Sequence, residues 1–537
     1  MSWKKALSLS LAVIFLCAVL AGCGGAKTTT PAEKALRIAI DADPTGLDPR
    51  KSSSITDFYV EKQMYEGLTA VNAKGEIVPA VAERWEVSPD GLKYVFHLRA
   101  DAKWSNGDPV TAQDFEYAWK SALDPKLAVP MANYLYYLKN GEKYYKNQAG
   151  ADDIGVKAVD DRTLEVTLEQ PTAFFLSLMS FATYFPIHKK TAEANPDWTK
   201  DPKTMVCNGP FQITEWAHNS KIELVKNDKY WDAGKVKIGK VVFIVCDNAA
   251  TAVSMFETNQ IDISNVPPPS GELERLQKEN KAKIFPLIGT YFYIFNTQKA
   301  PFDNVKVRKA FQLAIDRSAI VTNITKGGQQ PALGFVPLGL SDARPGEDFR
   351  KVGGELYKDN DIETARKLLA EAGYPGGKGL PPVALLYNTG DVHKVLAEAI
   401  QDMWKKNLGV EVTLTNQEWK VFLQTRKNGD YQVARHNWVG DYLDPMTFID
   451  LWDTSEAKKN SAFYANAEYA RLVRLAQTSV DQAARMKAMH EAEKIIIDDA
   501  MIMPIYFQSS IVLEKPNVKG VLRDTLSSMY LKEAYWE

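Results

Sequence analysis

The sequence predicts an α/β fold divided among two or three domains. Three observations carry that expectation. Half-buried strand patterns alternate with amphipathic helical patterns along most of the chain. One helical pattern, 392–408, runs straight into a strand pattern, 410–415, as a βαβ connection would. A chain of 537 residues is also too long to fold around one core.

Taken in order, Val81 to Arg99 predicts a hairpin, with one strand around Arg84-Trp85-Glu86-Val87, a Pro89-Asp90-Gly91 turn, and a return strand in which Tyr94, Phe96 and Leu98 alternate with polar neighbours. Asp114 to Leu123 predicts a helix whose N-terminus is marked by Thr111 and Asp114, the spacing of a capping box. Leu164, Val166 and Leu168 alternate with polar residues in a strand that Pro171 ends. Asn304 to Ile315 predicts a helix with Val307, Phe311, Ala314 and Ile315 on one face. Asp361 to Ala372 places Ala365, Leu368, Leu369 and Ala372 at helical spacing and stops at Gly373; 392–408 stops in the same way at Gly409. Val410, Val412 and Leu414 then form a strand leading to Trp419. The strong Pro/Gly clusters, Val266 to Ser270 and Gly373 to Pro382, read as loops within domains, and no internal repeat stands out.

The first residues predict an address and not part of the fold. Lys4 and Lys5 precede a stretch, Ala6 to Leu20, that is apolar apart from Ser8 and Ser10 and too short for the ~20 residues of a spanning helix. Leu20-Ala21-Gly22-Cys23 matches the bacterial lipobox, so residues 1–22 are expected to be cleaved and Cys23 acylated, holding the chain on the outer face of a bacterial membrane through a flexible tether, 23–35. A net charge of −2 gives no reason to expect a nucleic-acid partner. Aromatic residues make up 11% of the chain, enough to line a cleft as well as fill cores. Beyond the export segment the cysteines are Cys207 and Cys246, which outside the cytoplasm leaves open a disulfide or two separate buried thiols.

The run Ala434-Arg435-His436-Asn437-Trp438-Val439-Gly440-Asp441-Tyr442-Leu443-Asp444-Pro445 gathers a cation, an indole and a carboxylate within seven residues. A part-buried carboxylate such as Asp441 can receive an ammonium group, whose three N–H donors make charge-assisted hydrogen bonds. On local composition alone Asp441 would be a loop or capping residue, Arg435 a surface ion pair and Trp438 a core residue.

Several runs shift that balance. They are Val81-Ala82-Glu83-Arg84-Trp85, Phe96-His97-Leu98-Arg99, Ala102-Lys103-Trp104-Ser105-Asn106-Gly107-Asp108-Pro109-Val110-Thr111, Asn208-Gly209-Pro210-Phe211, Asn296-Thr297-Gln298-Lys299-Ala300-Pro301-Phe302, Tyr387-Asn388-Thr389-Gly390-Asp391 with His393, and Asn416-Gln417-Glu418-Trp419-Lys420. With 434–445 they occur in order across almost the whole chain, about 78–460 at the centre, and resemble the family 5 extracellular solute-binding proteins, above all their oligopeptide branch.

The resemblance implies a two-lobed fold of the type II periplasmic-binding-protein or Venus-flytrap kind, with a third domain. Domain I would comprise 36–65, 200–290 and 505–537, domain II 66–199 and domain III 291–504. It implies a monomer that captures oligopeptides as a closing cleft and passes them to the permease subunits of an ABC importer. Asp441 would receive the peptide amino terminus, and Arg435, Arg426 and His393 its carboxylate, for peptides of different length. His393 would act as an imidazolium at the opening of a helix, whose positive end also favours an anion. Trp419 and Trp438 would wall side-chain pockets, together with Ile294, which stands where the family has an acidic residue. Gly289 and Val439 stand where its best-known members have a disulfide. Dipeptides, signalling peptides, a nickel chelate or an oligosaccharide are the alternative ligands within the family.

An enzyme is not expected. The sequence has no Gly-x-Ser-x-Gly elbow, no phosphate loop and no His-Glu-x-x-His, since His490-Glu491 lacks its second histidine, so a peptidase is a remote alternative. With six histidines and no paired metal-ligand spacing, neither a metal nor a cofactor is expected.

Overall fold

Two long antiparallel strands, Ala282–Phe295 and Ile502–Glu514, run through the middle of an 11-stranded sheet and join its two wings. The computed structural model describes residues 34–52, 54–72, 76–452 and 454–537, apart from the side chains of Ser270 and Asp391. The expected export segment and Cys23 lie outside the described residues. None of the described helices is long and apolar enough to cross a membrane.

On one side of the crossing pair lie Val433–Val439, Val383–Asn388 and Val412–Gln417; on the other lie Ile263–Ser264, Leu36–Ile40, Lys240–Val245, Lys221–Lys226 and Phe211–Ala217. The pairing of the two crossing strands is interrupted between Pro286 and Thr290 and shifts again between Tyr291 and Phe292. A ladder that loses hydrogen bonds over a few residues bends there more easily than elsewhere. A separate antiparallel sheet, Ala82–Val87, Lys93–Leu98, Thr163–Thr167 and Val156–Asp160, builds the third domain of the molecule, the one beside the two lobes that falls within the expected domain II.

Ile288 to Phe295 is buried on both faces, and its side chains divide between two cores. Tyr291, Tyr293 and Phe295 pack with Phe311 and Trp404 beneath the helices Val305–Leu313 and Asp391–Leu408. Phe292 and Ile294 point the other way, toward Phe335 and Trp452. Period-two alternation in a sheet covered on both sides explains the split.

The expected hairpin forms with its turn at Ser88–Gly91, where the Gly91 N–H donates to the Ser88 carbonyl at 2.8 Å. The capping-box helix runs Ala112–Ala122, and the Thr111 N–H donates to Asp114 Oδ2 at 2.9 Å. The helices Ile362–Glu371 and Asp391–Leu408 end where expected, at Gly373 with φ +97° and Gly409 with φ +71°, left-handed angles that suit glycine. The strand after Gly409 is Val412–Gln417, two residues beyond the expected start, and Trp419 opens a helix, Trp419–Asn428, that the sequence reading did not contain.

Cys207 and Cys246 do not pair. Each is a free buried thiol in a different hydrophobic cluster, and burial pushes the Cys207 thiol up to about 12, an inert group.

Candidate ligand-binding cleft

The run singled out by its composition is a strand and the turn after it. Val433–Val439 pairs antiparallel with the first crossing strand, in the register Arg435 to Tyr293, His436 to Phe292, Trp438 to Thr290 and Val439 to Gly289. Gly289 and Val439 therefore sit directly opposite each other. Past Val439 the Gly440 N–H donates to the Ile288 carbonyl at 2.7 Å, and a Cβ on Gly440 would come within 2.7 Å of Ile288 Cδ1. This close approach turns the chain and places Asp441 at the edge of the sheet.

Three acids follow one another here, and their surroundings separate their roles. Asp444 is buried, bound through both oxygens by Arg485 at 2.6 and 2.8 Å, and caps the next turn by accepting the Met446 N–H at 2.9 Å. Asp450 accepts the Tyr442 hydroxyl at 3.0 Å, and burial pushes its carboxyl up to about 7. Asp441 is half-buried, and its N–H donates to Thr447 Oγ1 at 3.0 Å. Burial pushes its carboxyl above the usual range, only partly offset by a hydrogen bond from the Tyr134 hydroxyl. Among the described residues no cation lies within ion-pair distance of Asp441. A half-buried carboxylate without a counterion is poised for a cationic ligand.

Tyr134 was not visible as a site residue in the sequence. It lies in a short turn, Ala132–Leu135, beside the four-stranded sheet, and nothing but an aromatic-rich stretch, Tyr134 to Tyr137, marks it. The third domain also meets the Asp441 turn through Phe174, whose ring stacks on Tyr442 at 4.1 Å and 9°.

The opposite imbalance holds at the other end of the strand. Arg435 is 7% exposed; its Nη1 donates to Asn388 Oδ1 at 3.3 Å, its guanidinium lies 4.9 Å over the Tyr291 ring, and its Nε has no partner. Arg426, half-buried on the helix Trp419–Asn428, lies 5.5 Å over Phe422. Burial, together with the like charge of Arg435, pulls it below the usual arginine value. Among the described residues neither arginine has a carboxylate within ion-pair distance, in contrast to the buried Arg485, Arg350 and Arg317. A buried guanidinium with an idle donor calls for an anion.

His393 departs from the expected imidazolium. It is the third residue of the helix Asp391–Leu408, half-buried, with Nδ1 3.1 Å from the Tyr291 hydroxyl. Burial, and then the neighbouring Arg435, push it down to about 4, so it is neutral at pH 7. It can still donate a hydrogen bond, but it brings no charge.

Of the indoles, Trp419 is 46% exposed and stacks on Phe422, while Trp438 is half-buried with its Nε1 unpartnered. Ile294 requires a correction. It is 0% exposed, paired with Ala434 and Ile502 and enclosed in the core that holds Phe292, so it walls no pocket here. The alternation that brings Tyr293 to one core sends Ile294 into the other. Among the described residues there is also no cluster of acids, histidines or cysteines that could hold a metal ion.

A sheet shared by two lobes through two strands, with a third domain and uncompensated charges of opposite sign on one strand and its turn, defines a solute receptor of the periplasmic-binding class. Residues 76–460 match the family model described as bacterial extracellular solute-binding proteins, family 5. The chain is 39% identical, over 99% of its length and 100% of the relative's, to the oligopeptide-binding protein OppA of Bacillus subtilis. It is 40% identical to the dipeptide-binding protein DppE of the same organism, covering 95% of this chain and 93% of the relative. Among solved structures, the unliganded open form of the periplasmic murein tripeptide-binding protein MppA superposes with a TM-score of 0.83 at 34% identity, over 94% of this chain and 98% of that one. The chain belongs to the family 5 extracellular solute-binding proteins: an extracytoplasmic binding protein, not an enzyme.

Proposed function

We propose that this protein captures oligopeptides for an ABC importer, Asp441 receiving the peptide ammonium and Arg435 its carboxylate. One observation carries the reading. Two buried or half-buried charges of opposite sign, six residues apart on one strand and its turn, each lack a counterion among the described residues. A zwitterion supplies both missing charges at once. Six residues of strand-like chain span at most roughly 20 Å, and an extended tripeptide to pentapeptide spans roughly 10–17 Å. A bound of that size admits dipeptides as well as oligopeptides, and relatives of both descriptions exist; the oligopeptide reading rests on the resemblance of the sequence runs.

The backbone of an extended ligand can pair as an added strand, which does not depend on its sequence. Trp419 and Trp438 then border side-chain pockets in which water mediates contacts and tolerates variety. Domain I as 36–65, 200–290 and 505–537, domain II as 66–199 and domain III as 291–504 would place the lobe connections at the interrupted ladder near Pro286 to Thr290, and the lobes would close there on ligand. Acylated Cys23 would keep the receptor beside its permease.

The test is calorimetry with trialanine, tetra-alanine, dialanine and N-acetyl-trialanine. Trialanine and tetra-alanine should bind, and the acetylated peptide should lose roughly 2–5 kcal/mol, thirtyfold or more in affinity. Asp441→Ala should lose as much while its ligand-free melting temperature barely moves. Equal affinity for the free and acetylated peptides would remove Asp441 from the ammonium site; preference for dialanine would make this a dipeptide receptor.

A further inference from the structure

The peptide cleft leaves another cavity of this molecule unexplained. It encloses about 490 Å³, within the range of small-molecule sites. Its walls come from the end of the helix Ile55–Met64, the segment Glu66 to Val71, the start of the third domain and the C-terminal residues 520–533. None of Asp441, Arg435, Arg426, His393, Trp419 or Trp438 touches it.

Two cations in its wall have no carboxylate within ion-pair distance among the described residues. Lys62 is 6% exposed and has no carboxylate within ion-pair distance among the described residues. Its ammonium donates to the Ser180 carbonyl at 3.2 Å and to the Tyr530 hydroxyl at 2.9 Å, both residues of the cavity wall, which leaves one of its three N–H donors over. Burial pulls Lys62 below the usual lysine value, and the more distant charges of Asp524 and Glu61 offset this only in part. Arg99 is the second. Its Nε donates to the Ala80 carbonyl at 2.5 Å and its guanidinium lies 3.7 Å over Trp231, again with no carboxylate within ion-pair distance among the described residues, the charge of Glu66 acting on it from farther off.

The acids nearby stand beyond ion-pair distance of Lys62 and Arg99 and hold hydrogen bonds of their own: Asp524 accepts the Tyr530 hydroxyl at 3.0 Å and Glu61 accepts the Ser52 hydroxyl. Glu66 accepts the Tyr230 hydroxyl at 2.5 Å and the Trp231 Nε1 at 2.6 Å, one on each oxygen. Lys235 and Lys532, also in the wall, share Asp232 at 3.1 and 3.3 Å. Glu533 lines the cavity as a further acid, and even with it the lining cations outnumber the lining acids. The wall also holds apolar residues, Val71, Val78, Phe185 and Leu522 among them, beside the polar Gln63, Thr69 and Asn72.

We propose that this cavity is a second ligand site, separate from the peptide cleft, for a small organic anion with one carboxylate on an apolar body. The carboxylate meets Lys62 and Arg99, and the apolar body fills the space toward Phe185 and Leu522. A neutral molecule of the same shape would leave both cations unpaired, so charge as well as size selects the ligand. The site bridges two domains, and its occupation ties the C-terminal segment to the start of the third domain.

The experiment is calorimetry with sodium hexanoate and, as the neutral control, hexanamide, on the protein freed of its export segment. Hexanoate should bind saturably and hexanamide at least about tenfold more weakly, the loss expected of a charged hydrogen bond. Lys62→Met keeps the stem and removes the charge. It should weaken hexanoate at least about tenfold and leave trialanine affinity unchanged. Ala70→Phe, which fills the cavity, should abolish hexanoate binding, and it decides the matter if Lys62→Met fails to fold. Saturating trialanine should not displace hexanoate. The proposal is overturned if hexanoate fails to saturate, if hexanamide binds equally well, if binding survives Ala70→Phe, or if trialanine competes. The result stands apart from the peptide reading, because neither ligand's binding presupposes the other's.

Discussion

At the scale of single residues, the partners of the charges decide more than their identities do. Asp444 and Asp441 lie three positions apart, yet Arg485 neutralises the first and nothing among the described residues neutralises the second. Peptide capture should therefore follow the titration of Asp441. Burial raises its carboxyl, and a protonated acid offers an ammonium no charge, so affinity should fall on acidification at a higher pH than an exposed aspartate would allow. His393, pushed down to about 4, is already neutral at pH 7 and is not the source of that fall. Above pH ~8 the peptide amine itself loses its proton, and affinity should fall again. Calorimetry across this range should give a bell, and Asp441→Asn should remove its acid limb; a profile that climbs toward pH 5 would contradict the assignment. Because His393 acts as a neutral donor, His393→Gln should keep most of the affinity at pH 7, and a loss as large as that of Asp441→Ala would restore it as a charge. Arg426 and Arg435 feel each other's charge without an acid between them. A tripeptide ending in glutamate should accordingly bind about tenfold more tightly than one ending in lysine, the worth of one added charge-assisted bond. Equal affinities would show that only one arginine faces the ligand.

At the scale of elements, the sequence was legible where periodicity was unmixed. The helix Asp391–Leu408 carries an intact apolar stripe and a glycine stop, and the return strand Lys93–Leu98 alternates cleanly after a Pro-Asp-Gly turn. The helix Trp419–Asn428 was missed because Phe422 is its one fully buried side chain, too little for a stripe. The strand Val433–Val439 was missed because Arg435, His436 and Asn437 interrupt its apolar run, and those polar residues are what the site needs. Asp441, Arg435 and Trp438 stood out as a local constellation, whereas Tyr134 reaches Asp441 only through tertiary structure. The two possibilities for Cys207 and Cys246 could be separated by coordinates alone, since spacing carries no information about whether two thiols meet. The register offers its own test. Opposed residues of an antiparallel pair lie about 4.5–5.5 Å apart at Cα, within disulfide reach, and Gly289 faces Val439 in this way. The Gly289→Cys, Val439→Cys double variant should oxidise spontaneously, read as a two-proton mass loss and a shift in unfolding midpoint. Persistent free thiols would show the register to be wrong by a residue or more.

At the scale of the whole molecule, two crossing strands set what motion the lobes are permitted. A single sheet shared by both lobes would be rigid if its central ladder were continuous, but the pairing of Ala282–Phe295 with Ile502–Glu514 lapses between Pro286 and Thr290. Trialanine should then compact the molecule, measured as a fall in radius of gyration by solution scattering, and the Asp441→Ala variant should not respond at the same concentration. Unchanged scattering of the wild-type chain at saturation would mean that peptide binds without closing the lobes.

The most direct measurement is the crystal structure of the protein with trialanine. The account predicts the ligand ammonium within hydrogen-bond distance of Asp441, with the Tyr134 hydroxyl close by, and the ligand carboxylate turned toward Arg435. A peptide seated elsewhere, or one that leaves the Asp441 carboxylate facing solvent, would contradict it.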